Sequence, residues 1–191
     1  SPVQSILIRK VAVLGAGVMG SRIAAHLANA GVQVVLLDIA APGAPAGEKA
    51  ARNAVVRRAL EGLAKASPAP LFDPAAARLI TVGNFEDDLG LVGGCDWIIE
   101  AVAENLEIKR GLLGKVDAFR RRDAIVSTNT SGLPVSQIAE GMPEDFRRNW
   151  LGTHFFNPPR YMKLVEIIPT PDTDPGVAAA VARFADLHLG K

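Results

Sequence analysis

Lys10-Val-Ala-Val-Leu-Gly-Ala-Gly-Val-Met-Gly-Ser21 is the stretch that decides the fold, and its continuation runs to Asp38. Residues 11–14 form a short apolar run rich in β-branched side chains, which is typical of a strand buried on both faces. Glycines with the spacing G-x-G-x-x-G follow, and residues 23–30 continue with the spacing of a helix. Residues 33–38 indicate a second buried strand that ends in a carboxylate. The stretch therefore predicts a βαβ unit with a glycine-rich first turn.

Each of the three glycines has a physical reason to stand where it does. Gly15 permits the tight turn, Gly17 lets the backbone approach a pyrophosphate, and Gly20 lets the helix pack closely on the strand. The unpaired amides and the positive dipole end of the new helix, around Val18 and Met19, would face the phosphates of a ligand. This pattern predicts a dinucleotide-binding turn.

Asp38 indicates which dinucleotide binds. A carboxylate about 20 residues after the glycines would accept hydrogen bonds from the hydroxyls of the adenosine ribose and would repel a 2′-phosphate. The predicted cofactor is therefore NAD rather than NADP. The alternative is a βαβ unit whose glycines serve only packing, and that interpretation leaves Asp38 without a role.

The composition bounds the class of protein. Of the 191 residues 49% are hydrophobic, and 21 Lys+Arg against 20 Asp+Glu give a net charge of +1, which argues against a general nucleic-acid surface. Cys95 is the single cysteine, so an internal disulfide is excluded and a reducing compartment, the cytoplasm, is expected. We expect neither a membrane span nor a signal peptide, because no apolar run reaches spanning length and residues 1–10 lack a signal-peptide pattern, and no spacing of His and Cys indicates a metal site.

Strands alternate with helices as far as Thr128, which predicts an α/β fold of the Rossmann type, doubly wound, with a mainly parallel sheet. The last two strands are joined too closely for a parallel crossover, so an antiparallel pair is expected at the C-terminal end. Residues 1–7 are interpreted as a linker or a remnant of cloning, and 8–191 as one domain. Beyond the first unit we predict strands at 79–83, 95–102, 124–128, 150–156 and 163–168, and helices at 48–65, 106–119, 135–140 and 176–187.

The predicted helix at 48–65 carries basic residues along one side. They are Lys49, Arg52, Arg57, Arg58 and Lys65. The simpler interpretation of this side is a solvated face. The alternative is a docking surface for an acidic group such as a nucleotide phosphate.

Polar clusters follow several predicted strands at their carboxyl ends, which is where open α/β sheets bind ligands. If the last hairpin turns about Arg160, His154 pairs directly with Glu166, because their numbers are symmetric about 160. Directly opposed residues share a face of the sheet, with side chains about 5 Å apart. The clusters are 104–105, 129–131 and 154–157.

A His–Glu pair at this edge indicates proton transfer. The carboxylate would fix the imidazole and stabilise the imidazolium, so that the ring can take a proton from an alcohol. With a nicotinamide opposite, removal of that proton and of a hydride from the same carbon would produce a ketone. Ser131 and Asn157 could hydrogen-bond the substrate oxygen or the nicotinamide carboxamide. The alternative for His154 is a satisfied histidine at a strand end.

Several motifs resemble those of the NAD-binding domain of L-3-hydroxyacyl-CoA dehydrogenases, from about Ile8 to the C-terminus. The continuation from His154 into Arg160-Tyr-Met-Lys163 is similar to long bacterial members that carry a further hydratase-type domain. The motifs are Gly15-Ala-Gly-Val-Met-Gly20, Glu104-Asn-Leu-Glu-Ile-Lys109, Asn129-Thr-Ser131 and His154-Phe-Phe-Asn-Pro158 with Leu164-Val-Glu166.

The resemblance implies a reaction and a partner. The reaction is the NAD-dependent oxidation of an L-3-hydroxyacyl-CoA to a 3-ketoacyl-CoA in fatty-acid β-oxidation, with an acyl-CoA thioester as substrate. It also implies an all-helical domain, absent from this chain, that supplies dimer contacts and part of the acyl site. A homodimer of the full-length protein is compatible with this expectation.

The resemblance further implies roles for individual residues. His154 would be the catalytic base with Glu166 as its partner, and Ser131 and Asn157 would be substrate and cofactor contacts. The remaining matches are cofactor contacts, two near the nicotinamide half and one at the adenosine ribose: Glu104, Lys109 and Asp38.

Two other functions stay open at this point. A binding module could have kept the fold without turnover, although the presence of both His154 and Glu166 argues against it. A dehydrogenase acting on a free hydroxy acid would use the same residues.

Overall fold

The fold is built on one seven-stranded sheet. The computed structural model describes residues 6–65, 74–156 and 165–189. Within these residues the strands lie in the order β3-β2-β1-β4-β5-β6-β7, all parallel except for the antiparallel pair β6–β7. The predicted doubly wound sheet with its antiparallel C-terminal pair is therefore confirmed. The strands are β1 (Lys10–Leu14), β2 (Gln33–Asp38), β3 (Ile80–Asn84), β4 (Trp97–Glu100), β5 (Ile125–Thr128), β6 (Trp150–Phe155) and β7 (Val165–Pro169).

Helices cover both faces of this sheet. Successive residues of a strand point to opposite faces, so Val11 and Val13 pack in one core layer and Ala12 and Leu14 in the other. The first layer includes the buried faces of α1 and α7, and the second includes that of α4. The helices are α1 (Val18–Asn29), α2 (Lys49–Arg52), α3 (Ala54–Lys65), α4 (Leu106–Phe119), α5 (Val135–Ile138), α6 (Glu144–Arg148) and α7 (Pro175–His188).

The strand order reverses beside β1, and a crevice that can bind a ligand is expected at this point. The chain leaves β3 on one side of β1 and returns as β4 on the other side. In doubly wound sheets ligands bind at this switch point, beyond the carboxyl ends of the strands. The glycine-rich turn at residues 15–17 stands directly over it.

The predicted single helix at 48–65 is wrong. The structure has α2 and α3, separated at Asn53, whose side chain is buried and accepts a hydrogen bond from Asn84 Nδ2 at 2.8 Å. Arg52 forms ion pairs with Glu86 and Asp87, at 2.6 Å each. The break between the two helices thus lies where they contact the end of β3 and the segment after it, and Arg52 is occupied by its ion pairs with that segment. Arg52 is therefore not available to the docking surface for an acidic group that was considered as an alternative for residues 48–65.

The other differences concern boundaries and short elements. The predicted strand 95–102 is shortened to β4, because the chain turns after Glu100 towards α4. The five-residue α6 was not predicted, since it is shorter than the period of an amphipathic pattern. The predicted start of the last helix is confirmed, with Asp174 Oδ1 accepting a hydrogen bond from Gly176 N at 2.8 Å and Pro175 in the first turn.

Candidate active site

The glycine-rich turn is packed tightly against the end of β4. Gly15 has a φ of +102°, and a Cβ built there would lie 2.6 Å from the carbonyl oxygen of Ala101. A Cβ on Gly20 would lie 1.7 Å from the carbonyl oxygen of Gly15. A Cβ on Gly17 would meet nothing within 4 Å. Two of the glycines are therefore needed for packing, whereas Gly17 faces open space.

The N-terminus of α1 opens onto that space. Gly17 is the residue before the helix, and no side chain caps this end. The first N–H groups of a helix have no intrahelical partners and carry its positive dipole end. Val18 is 67% exposed, so its side chain does not close the approach. These features fit the diphosphate of a dinucleotide.

Asp38 lies at the end of β2 beside the same turn. Its Oδ2 accepts a hydrogen bond from Ala16 N at 2.7 Å, and its Oδ1 accepts one from Ile39 N at 2.6 Å. A carboxylate has about four lone-pair sites, so both oxygens can still accept from a ribose. Asp38 therefore holds the glycine-rich turn, and its predicted contact with the ribose stays a prediction.

A cavity of about 320 Å³ lies between the glycine-rich turn and the carboxyl ends of β4, β5 and β6. Parallel strands end at one edge of a sheet, so residues that are far apart in sequence meet there. Asn129 and Phe156 contribute to the walls of this cavity. The sequence-predicted site residues that line it are Met19, Glu104, Lys109, Ser131 and His154.

His154 and Glu166 are opposed across the β6–β7 pair, as their spacing predicted. The distance from His154 Nδ1 to Glu166 Oε2 is 4.0 Å, which is an ion-pair distance rather than a hydrogen bond. The His154 side chain is 25% exposed and that of Glu166 is 56% exposed, because β7 is the edge strand. The His154 ring also contacts Phe156, with centroids 4.7 Å apart. The predicted register is confirmed, and His154 is the member of the pair that lines the cavity.

Asn129 connects the end of β5 to the strand that carries His154. Its Oδ1 accepts a hydrogen bond from Phe155 N at 2.8 Å, and its own N–H donates to the carbonyl of Glu100 at 2.8 Å. Asn129 thereby ties the backbone next to His154 to the neighbouring strand ends.

Glu104 stands over the turn that carries Ser131. Thr130 Oγ1 donates to Glu104 Oε1, and Ser131 N donates to Oε2 at 3.3 Å. Partial burial by itself would raise the pKa of Glu104, but these hydrogen bonds, another from Gly132 N and the charge of Lys109 together lower the pKa below its usual value of 4.5. Glu104 is therefore a carboxylate held in its charged form beside the cavity.

Glu100 is a buried carboxylate under the cavity that the sequence analysis missed. It is 0% exposed, and its Oε2 lies 2.6 Å from Lys109 Nζ, which is itself 2% exposed. The available signal was the acidic end of an otherwise apolar strand, Trp97-Ile-Ile-Glu100. Lys109 was predicted from the sequence, but its buried partner was not.

Three further points concern the predicted contacts, metal binding and membrane crossing. The predicted contact residue Asn157 lies outside the described residues. Among the residues that the structure describes, no group of three or more His, Cys, Asp or Glu could hold a metal ion. Over the same part of the chain no helix combines the length and the apolar character that a membrane crossing requires.

Comparisons with known proteins point to one family. The family model described as "3-hydroxyacyl-CoA dehydrogenase, NAD binding domain" matches residues 10–191. A "Probable 3-hydroxyacyl-CoA dehydrogenase" of Deinococcus radiodurans is 49% identical over 96% of this chain and 52% of its own length. A "Putative fatty acid oxidation complex trifunctional enzyme" of Rickettsia felis is 44% identical over 96% of this chain and 25% of its own length. The chain thus spans about half of the first relative and a quarter of the second.

A solved structure agrees with this relationship. The crystal structure of M. tuberculosis FadB2 matches with a TM-score of 0.74 and 32% identity, over 96% of this chain and 62% of that one.

Proposed function

Because the chain belongs to the 3-hydroxyacyl-CoA dehydrogenase family, whose NAD-binding domain it matches, we propose that it contributes the cofactor site and the proton acceptor for the oxidation of an L-3-hydroxyacyl-CoA to a 3-ketoacyl-CoA. One observation carries this proposal. His154 and Met19, which follows the glycine-rich turn, line the same cavity of about 320 Å³. A proton acceptor and a dinucleotide site that share a cavity can act on one substrate carbon and its hydroxyl.

The proposed cofactor contacts extend from the glycine-rich turn to the cavity. The amides at the N-terminus of α1 would bind the diphosphate, and Asp38 would accept from the adenosine ribose. The chemistry that bound NAD supplies here is acceptance of a hydride from the substrate carbon. The remaining proposed contacts, at the nicotinamide half, are Glu104, Lys109, Ser131 and Asn157.

The proton acceptor in this proposal is His154. Its Nδ1 faces Glu166, so Nε2 is the nitrogen that would take the proton of the substrate hydroxyl. The imidazolium that forms would be stabilised by the carboxylate of Glu166, and the distance of 4.0 Å between them is expected to shorten as the charge develops. Ser131 would hydrogen-bond the substrate oxygen and keep it within reach of the ring.

The pathway and the assembly are part of the proposal as well. The name of the Rickettsia felis relative supports a role in fatty-acid oxidation. The homodimer and the cytoplasmic location suggested by the sequence stay predictions.

The test is turnover of the complete protein that carries this chain, assayed with a 3-hydroxyacyl-CoA beside the corresponding free 3-hydroxy acid. We expect His154→Ala to lower kcat by about 10² to 10⁴-fold, which is the usual contribution of a general base. NADH affinity should be retained. The matched control is His188→Ala, since that exposed ring lies at the end of α7, away from the cavity. Near-normal turnover of His154→Ala would overturn the proposed mechanism, and faster turnover of the free acid would overturn the proposed substrate.

A further inference from the structure

A buried ion pair lies directly beneath the cavity, and no step above uses its carboxylate. We propose that Glu100 is a positioning residue for the nicotinamide end of the cofactor site, and that it acts by holding Lys109. The inference rests on the proposed function only in taking that cavity as the place where NAD binds. It assigns Glu100 no contact with the cofactor.

Each oxygen of Glu100 accepts at least one hydrogen bond, and the donors to Oε2 belong to residues that line the cavity. Oε2 accepts hydrogen bonds from Lys109 Nζ at 2.6 Å and from Val102 N at 2.8 Å. Oε1 accepts one from Thr128 Oγ1 at 2.6 Å. Glu100 therefore joins three neighbouring segments: the loop after β4, helix α4 and the end of β5.

The hydrogen bond from Lys109 Nζ to Glu100 determines where the ammonium group of Lys109 lies. Its Nζ donates to Glu100 Oε2 and also to the carbonyl of Val102 at 3.1 Å. An ammonium group has three N–H donors, and these two bonds leave one. On that side Glu104 Oε1 lies 3.8 Å away, and both Lys109 and Glu104 line the cavity. The ammonium can therefore present one donor at the cavity wall.

A second chain of hydrogen bonds connects Glu100 with the turn that carries Ser131. Thr128 Oγ1, which donates to Glu100, accepts from Thr130 N at 3.2 Å. The Thr130 hydroxyl in turn donates to Glu104. Both routes from Glu100 thus end at Glu104, and this closed network sets the position of the cavity wall.

Stability alone is a weak reason to keep this pair. Removing two charges from water is costly, and replacing a buried ion pair with apolar residues is often neutral or stabilising. A buried pair at the wall of a cofactor cavity instead provides a fixed cation, because the carboxylate beneath holds the ammonium in place. The location of the pair, rather than its strength, is what the inference explains.

The test is a double-mutant cycle on NADH affinity in this chain, with Glu100→Gln, Lys109→Met and the combined variant. Glu100→Gln keeps the shape and one acceptor oxygen but removes the charge that holds Lys109. We expect it to weaken NADH binding on the order of tenfold, about 1.4 kcal/mol, when Lys109 is present. In the Lys109→Met background its effect on NADH affinity should be several-fold smaller, because Glu100 acts mainly through Lys109 and only in part through Thr128. Thermal unfolding of every variant is measured in parallel.

A purely structural role gives a different result. Glu100→Gln would then lower Tm and leave NADH affinity unchanged, or weaken it by the same factor in both backgrounds, and either result overturns the inference. The control is Asp117→Asn, which disrupts an ion pair with the buried Arg120 at 2.7 Å. It should lower Tm with NADH affinity unchanged. If Glu100→Gln does not fold, Glu100→Asp replaces it in the cycle, since this change keeps the charge but withdraws the carboxylate from Lys109 Nζ.

The outcomes also separate this inference from the proposed function. A wild-type chain that does not bind NADH would overturn both. If the effects of Glu100→Gln and Lys109→Met on NADH affinity are coupled in a protein that shows no activity with an acyl-CoA, the positioning role is supported. The proposed substrate is then overturned.

Discussion

Alanine substitutions at Gly17 and Gly20 separate a glycine-rich turn that binds a dinucleotide from one that serves only packing. Gly20 lies inside α1, where alanine is ordinarily favoured over glycine by about 0.5–1 kcal/mol. Its Cβ would nevertheless lie 1.7 Å from the carbonyl oxygen of Gly15, whereas contacts under 3.0 Å essentially never occur. Since that oxygen belongs to the backbone, the helix must move by more than an ångström. At Gly17 the same Cβ would meet nothing within 4 Å.

The two variants should therefore fail in different ways. Forcing an extra carbon into a packed site costs about 1–3 kcal/mol or more. At about 2–4 °C per kcal/mol for a chain of this size, Gly20→Ala should lower Tm by about 6–12 °C if it costs about 3 kcal/mol, and it should weaken NADH binding. Gly17 has a φ of −69° and a ψ of −167°, which alanine adopts without strain. Gly17→Ala should thus change Tm by no more than about 3 °C, yet weaken NADH binding by about tenfold or more, because its methyl group would occupy the approach to the diphosphate.

The assays are thermal unfolding and fluorescence titration with NADH. The control is Gly62→Ala on the exposed side of α3, where a Cβ also meets nothing within 4 Å. This variant should raise Tm by about 1–4 °C, since alanine stabilises a helix interior by about 0.5–1 kcal/mol, and it should leave NADH affinity unchanged. If Gly17→Ala binds NADH as tightly as the wild type, the diphosphate does not approach the turn at Gly17. An unchanged Tm in Gly20→Ala would refute the packing argument.

Two further predictions concern carboxylates around the site. Asp38→Asn should reduce the preference for NADH over NADPH by about tenfold, about 1.4 kcal/mol, because it removes a charge that repels the 2′-phosphate. Calorimetric titration with both cofactors measures the ratio of the two affinities. Equal affinity for NADH and NADPH in the wild-type protein would contradict the role of Asp38. Because the pKa of Glu104 is lowered on folding, its contribution to stability is present above the usual value of 4.5 and is lost as the pH falls through the lowered pKa. The difference in Tm between wild type and Glu104→Gln should therefore narrow as the pH falls below about 4.5, and a difference independent of pH would mean that the charge of Glu104 contributes nothing.

Sequence reasoning succeeded where the cause of a structure is local. The turn between β1 and α1 follows from glycine positions that admit a φ of +102° and a very close backbone contact. The cap of α7 follows from Asp174 and Pro175. The pairing of His154 with Glu166 follows from the alternation of residues along two strands joined by a short connection, because a register is determined once one pair is known.

Sequence reasoning failed where the cause lies in a distant segment. The break between α2 and α3 lies at Asn53, whose buried side chain meets that of Asn84, 31 positions away. The helical periodicity of residues 48–65 carries no trace of that contact. The short helix α6 was missed for a different reason, since five residues are too few to show a period.

What the sequence by itself determined is the βαβ unit, the class of sheet, the expected cofactor and the register that opposes His154 to Glu166, because each depends on neighbouring residues or on a short connection. Only the tertiary structure decided which of these residues share a cavity, and it revealed Glu100 beneath Lys109. The physical reason is that parallel strands collect at one edge groups from positions as distant as Met19 and His154. No local pattern carries that proximity, and a buried carboxylate can be identified only once its partners are in place.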